Sequence, residues 1–363
     1  MKIASVEVSV LSVTLDRPYE AAGRQVGANW HVMAEITTTD GVKGFGYIVA
    51  LREMFVRAVA SACRELGTLL IGMDVLQAEA AWRKMAAAGD WVGPGGLLHY
   101  AICPLDIAIW DAAGKTLGQP VWKLLGGHRD RLPAYASDGF WYSLSLDDLA
   151  ASALRARDEG FRAVKLRIGH EAHPANEVAR VRAVQDAVGP DVAVMVDATE
   201  TWTLDRAIRT GRALQDAGVA WFEDPIQHTD VAGMARITAA LDMPLATGEH
   251  LYQVSDFTRL LEARAASIAL IDLGRIGGVT PWRHVASLAH GFGVRVGGHV
   301  LPEIHIHLLA AMPNAAMVEY VPRSARLLQA MPPMADGMMV APSGAGFGLA
   351  LDRDAVRRFT VSD

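Results

Sequence analysis

The chain of 363 residues has only two cysteines, Cys63 and Cys103, so it has no disulfide framework. Both read as core thiols, and a reducing cytoplasm is the expected compartment. There is no apolar run of the ~18 residues needed to span a membrane. The opening stretch MKIASVEVSVLSVTL alternates like a strand and holds neither a continuous apolar signal core nor a small-residue cleavage site. A basic excess is also missing: 34 Lys and Arg stand against 40 Asp and Glu, a formal charge of −6 without long runs of one sign. Nucleic acid and membranes are therefore not expected partners. The 34 glycines show no three-residue period, which excludes collagen. No GxGxxG follows a first strand, and the Gly-rich segment Pro342–Gly348 lacks the Lys-Ser/Thr pair of a phosphate loop. What remains is globular composition, 51% hydrophobic and 20% charged, with length for roughly two domains.

The pattern changes along the chain. Residues 1–50 alternate as strands, with a hairpin-type turn at Thr39-Asp40-Gly41. Residues 54–70, 75–88 and 103–117 then carry helical periodicity, so the first module is α+β. Beyond about residue 131, short apolar runs alternate with amphipathic helices. The expected strands are Leu132–Ala136, Ala163–Arg167, Val192–Val196, Ala220–Glu223, Pro244–Ala246, Ile268–Ile271, Val294–Val296 and Met317–Tyr320. Eight strands alternating with helices predict a barrel of the (β/α)8 type, with a doubly wound open sheet as the competitor.

In such a barrel the chemistry sits at the C-terminal ends of the strands. Strand three ends in Asp197, strand four in Glu223, and strand five leads into Gly248-Glu249-His250, with Asp197, Glu223 and Glu249 at successive spacings of 26 residues. One carboxylate per βα unit places three acids around one rim, where they repel unless a cation lies between them. An all-oxygen donor set selects a hard ion such as Mg²⁺. Strand six ends in Asp272, and His299 follows Gly297-Gly298 on strand seven. An Asp bonded to one imidazole nitrogen fixes the tautomer and makes the other nitrogen more basic. Lys165 and Arg167 alternate on strand two and so point the same way, an arrangement suited to an anionic substrate. Strand eight carries Glu319. His305 and His307 fall in a predicted helix at a spacing that shares no face, and they read as structural.

The ordered set Lys165-x-Arg167, Asp197, Glu223-Asp224-Pro225, Gly248-Glu249, Asp272 with Arg275-Ile276-Gly277-Gly278, His299 and Glu319 resembles the enolase superfamily. Its Asp–His pair is similar to that of the mandelate racemase subgroup. Asp106–Asp111, followed by Leu124-Leu125-Gly126-Gly127, resembles the end of that family's capping domain. The resemblance implies an α/β fold: a modified TIM barrel, (β/α)7β, with an α+β capping domain formed by the N-terminal region and the C-terminal tail. The corresponding boundaries are 1–125 for the cap, 126–340 for the barrel and 341–363 for the returning segment. The resemblance further implies Mg²⁺ held by Asp197, Glu223 and Glu249, and abstraction of the proton α to a carboxylate to give an enediolate. Lys165 would stabilise the developing charge, and His299, oriented by Asp272, would act as base or acid. Glu319 would be protonated and donate a hydrogen bond to the substrate carboxylate. The implied assembly is a homo-oligomer such as an octamer.

One position departs from the family pattern. Racemase-like members carry a second Lys as base on strand two, where this chain has Arg167. A guanidinium is a poor general base. Racemisation needs proton exchange on two faces, whereas dehydration of a 2,3-dihydroxy acid runs with one base. The expected activity is therefore a Mg²⁺-dependent lyase that converts a sugar acid, aldonate or aldarate, to a 2-keto-3-deoxy acid. A racemase or epimerase of a 2-hydroxy acid is the alternative, and a barrel that merely binds metal and anion the remote one. Substrate contacts are expected from two cap loops, 16–30 with Tyr19, Arg24 and Trp30, and 90–99 with Trp91, and from Ser137 after strand one.

Overall fold

A computed structural model describes residues 1–21 and 24–361; the side chains at 16, 17, 20, 21 and 24 lie outside the described set. The cap begins with an antiparallel meander, β1 (Ile3–Ala21), β2 (Arg24–Thr38) and β3 (Lys43–Ala50). The helices α1 (Val56–Leu70), α2 (Ala78–Ala88) and α3 (Gly96–Leu117) follow, and a single turn, α4 (Val121–Leu124), leads out of the cap. Helix α3 is apolar nearly all round and buried, as a central helix must be. It lies so close to β3 that a Cβ at Gly44 would sit 2.3 Å from the Ala108 carbonyl oxygen, and one at Gly46 2.4 Å from that of Pro104.

The barrel strands are β4 (Arg131–Ala136), β5 (Ala163–Arg167), β6 (Ala193–Asp197), β7 (Phe222–Glu223), β8 (Leu245–Thr247), β9 (Ile268–Asp272), β10 (Arg295–His299) and β11 (Val318–Tyr320). Consecutive strands pair in parallel from β4 to β10. The ring closes because β11 pairs with β4 and because the Ala316 amide donates to the Val296 carbonyl at 2.8 Å. The first seven strands are followed by helices: α5 (Leu146–Asp158), α6 (Pro174–Val188), α7 (Leu204–Asp216), α8 (Val231–Ala240), α9 (Val254–Glu262), α10 (Leu273–Ile276) with α11 (Val279–Gly291), and α12 (Pro302–Ala310). Only a 3-10 turn follows β11, so the barrel is of the (β/α)7β kind. A small hairpin, β12 (Met334–Ala335) and β13 (Met338–Val340), extends β4 on its antiparallel edge. The terminal helix α13 (Arg353–Phe359) returns to the cap, and the Val361 amide donates to Val10 at 2.9 Å.

Two buried acids of α3 fasten the parts together. Asp106 accepts from the Thr280 amide (2.9 Å) and hydroxyl (2.6 Å) at the start of α11. Asp111 accepts from the amides of Phe45 and Phe347, both at 3.0 Å, tying the meander to the tail. The motif from Asp106 to Asp111 is thus a joint between cap, barrel and tail.

The two cap loops differ from expectation. Most of segment 16–30 is strand, with Tyr19 opposite Val26 across a hairpin arm of β1 and β2. In segment 90–99, residues 96–99 open α3, and Trp91 is 85% exposed beside Leu66, Leu69 and Leu97 of the cap itself. Among the described residues, no helix is long and apolar enough to cross a membrane.

Candidate active site

Parallel pairing sets the positions of the charged side chains. Arg167, Asp197 and Glu223 are register partners across β5, β6 and β7, and Asp272 and His299 are partners across β9 and β10. Neighbouring strands lie about 4.8 Å apart, so these groups are adjacent by construction. The loops that leave the strands are strained. Thr199 (φ 45°), Glu200 (φ 60°), Asp224 (φ 39°), Val300 (φ 50°) and Leu301 (φ 45°) hold left-handed backbone without being glycine. The strain redirects amides onto the site: the Thr199 amide donates to Asp197 Oδ1 at 2.7 Å and the Val300 amide to Glu319 Oε2 at 2.9 Å.

The acids cluster in a dry environment. Asp197 is 6% exposed and Glu223 0%. Burial pushes both carboxyls up, and their negative neighbours push the same way. Lys165, fully enclosed, bridges Glu223 and Glu319, the latter at 3.0 Å. Burial alone would lower the Lys165 ammonium, but the two carboxylates outweigh it and raise it well above its usual range. One lysine does not balance three strand-end carboxylates, and Glu223 Oε2 is buried with no partner. A hard divalent cation fits this all-oxygen set and would fill the vacant lone pairs of Glu223. Donor atoms gather most tightly one step further round the rim. Asp224, Glu249 and His250 have ligand atoms within 4.8 Å of one another, and so do Glu200, His228 and His250. Spacing alone did not single out Glu200, His228 or His250; the stretch Gly248-Glu249-His250 was the available signal.

The imidazole of His299 lies 2.6 Å from Asp272 Oδ2 through Nδ1, leaving Nε2 on the open side, 3.4 Å from Glu249. Burial opposes ionisation of Asp272, yet the His299 hydrogen bond and the Arg275 charge hold its carboxyl at about 2. Burial also opposes protonation of His299, but Glu249 and Asp272 outweigh it and raise the imidazole above its ordinary value. Behind the pair, His305 touches the carbonyls of Val300 (2.7 Å) and Ile271 (3.1 Å). It needs Gly298 for this, because a Cβ there would lie 2.3 Å from the His305 ring.

Glu319 departs from expectation. Burial favours its neutral form, but Lys165 and His299 outweigh it and hold the carboxyl far below the usual range. Both of its oxygens face donors, Oε1 the Lys165 ammonium at 3.0 Å and Oε2 the Val300 amide at 2.9 Å, so in this arrangement Glu319 accepts.

Arg167 is immobilised. Nη1 donates to the Ser137 carbonyl at 2.7 Å, Nη2 lies 3.4 Å from the Ser137 hydroxyl, and the guanidinium carbon stands 4.0 Å over the Trp141 ring. Ser137 is completely buried and thus supports Arg167. Tyr19 stacks on the other part of this wall, its ring 4.4 Å from that of Trp141, and its hydroxyl meets Arg323. Trp30 sits elsewhere: it shares a face of β2 with Val32, Ala34 and Ile36, packed against the cap core. The opposite face carries Asn29 and His31, which reach Arg323 and Ser324 of the barrel. Trp91 lies on the cap's outer surface, and the side chain of Arg24 is outside the described residues. Sequence reasoning missed Trp141, Arg323, Asn29 and His31, although the first two follow barrel strands, where side chains face the site.

Comparisons with known proteins agree with this architecture. The enolase C-terminal domain-like family matches residues 148–355, and the mandelate racemase/muconate lactonizing enzyme N-terminal domain matches residues 5–126. The chain is 33% identical to L-talarate/galactarate dehydratase of Salmonella typhimurium over 91% of its own length and 82% of that protein. It is 32% identical to 3,6-anhydro-alpha-L-galactonate cycloisomerase of Streptomyces coelicolor over 91% of each chain. The crystal structure of the Salmonella dehydratase with Mg and L-lyxarohydroxamate superposes with a TM-score of 0.95, at 30% identity, covering 99% of this chain and 93% of that one. The chain therefore belongs to the enolase superfamily, in its mandelate racemase subgroup.

Proposed function

We propose that the protein is a Mg²⁺-dependent lyase that dehydrates a sugar acid, an aldonate or aldarate, to a 2-keto-3-deoxy acid. The observation that carries this reading is the asymmetry of the site. One side holds a base, His299 paired with Asp272 at 2.6 Å, and the position used for a second base holds an immobilised guanidinium. Asp197, Glu223 and Glu249 would hold the Mg²⁺, which neutralises charge on the substrate carboxylate. His299 Nε2 takes the α-proton, and the C–H electron pair moves into an enediolate. Asp272 stabilises the imidazolium that results. Lys165 supplies positive charge where the enediolate forms. The pair then returns, the β-carbon–oxygen bond breaks, and His299 gives its proton to the leaving hydroxyl. Water departs and the enol becomes the keto acid. Arg167 keeps its proton and offers hydrogen bonds to a substrate oxygen.

The chain's similarity to sugar-acid dehydratases supports the same substrate class. A panel of mono- and diacid sugars with Mg²⁺ tests the reading. Keto acid is expected from at least one member and is lost with EDTA; no keto acid across the panel would refute it. The finer picture is a cytoplasmic homo-oligomer. The exposed apolar side chains around one groove of the cap, Trp91 at 85%, Val92 at 57% and Leu97 at 44%, support a face covered by a second copy.

A further inference from the structure

Glu200, Asp224, His228 and His250 stand on the loops that leave β6, β7 and β8, each close in sequence to one of the strand-end acids Asp197, Glu223 and Glu249. His228 is tied to Glu200: its Nδ1 lies 2.8 Å from Glu200 Oε1, and its backbone amide donates to the same oxygen at 2.7 Å. The rings of His228 and His250 stack, with centroids 5.3 Å apart. His250 Nε2 faces three carboxylates at once, Glu249 Oε1 at 3.5 Å, Asp224 Oδ2 at 3.8 Å and Glu200 Oε1 at 4.0 Å. Hydrogen bonds to a ring nitrogen run at about 2.7–3.2 Å, so these separations are too long for them. They are nearer to the spacing of neighbouring ligands on one ion. With metal–ligand bonds of about 2.0–2.1 Å, tetrahedral neighbours lie about 3.3–3.4 Å apart.

A second observation points to a ligand. Asp224 is 1% exposed, and its Oδ1 has no hydrogen-bond partner. Buried polar atoms are rarely left unpaired unless water, an ion or a ligand satisfies them. The carboxylate with this free oxygen is the one that faces His250. A cavity of about 270 Å³ is lined by His228 and His250 and gives an ion a path to both imidazoles. The donor chemistry differs from that of Asp197, Glu223 and Glu249. Those three offer oxygen alone, which suits Mg²⁺. Two imidazole nitrogens with two carboxylates suit a borderline-soft divalent ion.

We propose that Glu200, Asp224, His228 and His250 form a second cation site, selective for a transition ion of the Zn²⁺ class, that clamps the loops after β6, β7 and β8. The ion takes the place of the proton between His228 Nδ1 and Glu200, and that proton is released to solvent. By joining the three loops it holds the strand-end acids in register. The site requires no substrate and so stands apart from the dehydratase reading.

The test titrates untagged protein with Zn²⁺ in excess Mg²⁺, counts bound metal by elemental analysis after gel filtration, and records the unfolding temperature. A further equivalent of Zn²⁺ is expected beside the Mg²⁺, with a rise in Tm. Loss of an outer-sphere partner already costs about 10–100-fold in metal affinity, so His228→Gln and His250→Gln should each weaken Zn²⁺ binding by at least ~100-fold. Both should abolish the rise in Tm, and His228→Gln should leave Mg²⁺ affinity near that of the parent. Asp197→Asn should lose Mg²⁺ and keep Zn²⁺. Circular dichroism establishes that each variant is folded. Zn²⁺ that displaces Mg²⁺ equivalent for equivalent, or that is lost in folded Asp197→Asn, overturns the proposal by placing the ion in the first site. Zn²⁺ held as tightly by both folded His variants also overturns it. Zn²⁺ bound through the two histidines without a rise in Tm overturns the clamp.

Discussion

The barrel mouth divides into two unlike sectors. Strands β6, β7 and β8 deliver acids, and the adjacent strands β9 and β10 deliver the Asp272–His299 pair. Strands β4 and β5, the segment after β11 and the cap deliver cations and aromatic rings instead, with Glu319 of β11 as the acid that pairs with Lys165. The acidic sector is built almost wholly by parallel register, one residue per βα unit. The aromatic sector is built by contacts between distant parts of the chain, such as Tyr19 with Arg323. In the proposed reaction the base and the metal ligands therefore come from the register-built sector, Lys165 faces them from β5, and substrate choice falls to the sector assembled by cap and barrel together.

Substitutions break this contrast at graded cost. His299→Ala should lose the most, with kcat reduced by ~10⁴-fold or more because the proton has no other acceptor on that side. Mg²⁺ affinity, read by calorimetry, should stay close to that of the parent. Asp197→Asn should have the reverse profile, weakening Mg²⁺ binding by more than ~100-fold, since loss of even an outer-sphere partner costs 10–100-fold. Asp272→Asn removes a negative partner that raises the His299 pKa. The acid limb of kcat/KM, where activity rises as the base loses its proton, should therefore move to lower pH, and the plateau should fall. A limb that stays in place in a folded Asp272→Asn protein would disconnect the pair. Trp141→Leu removes one aromatic pair worth about 0.5–1.5 kcal/mol, so KM should rise by roughly 2- to 12-fold with kcat less affected.

Much of the rigid sector was legible in the chain. The alternation of apolar runs and helices located all eight barrel strands, and equal spacing aligned Asp197, Glu223 and Glu249. Strand register carried the rest, because parallel pairing converts sequence spacing into adjacency. The other sector was only partly legible. Trp30 and its neighbours Asn29 and His31 differ by one position on β2, and a shift of one residue exchanges the two faces of a strand. Composition favoured the tryptophan, whereas packing against α3 claims its face and turns the polar neighbours toward the barrel. Trp91 looked like a substrate contact, but the turn before α3 directs it outward. The acceptor position of Glu319 depends on Lys165 bridging two acids from different strands, which no local pattern encodes.

The central claim is that a single base acts on the α-carbon and that the outcome is loss of water. Proton NMR of a turned-over sugar acid in D2O with Mg²⁺ tests it most directly. The account predicts that a 2-keto-3-deoxy acid accumulates, that no C2 epimer of the substrate appears, and that both the keto acid and any exchange at C2 vanish in His299→Ala. Deuterium entering both C2 epimers without keto acid would contradict it, because that result requires a second base where Arg167 lies against Trp141 and Ser137.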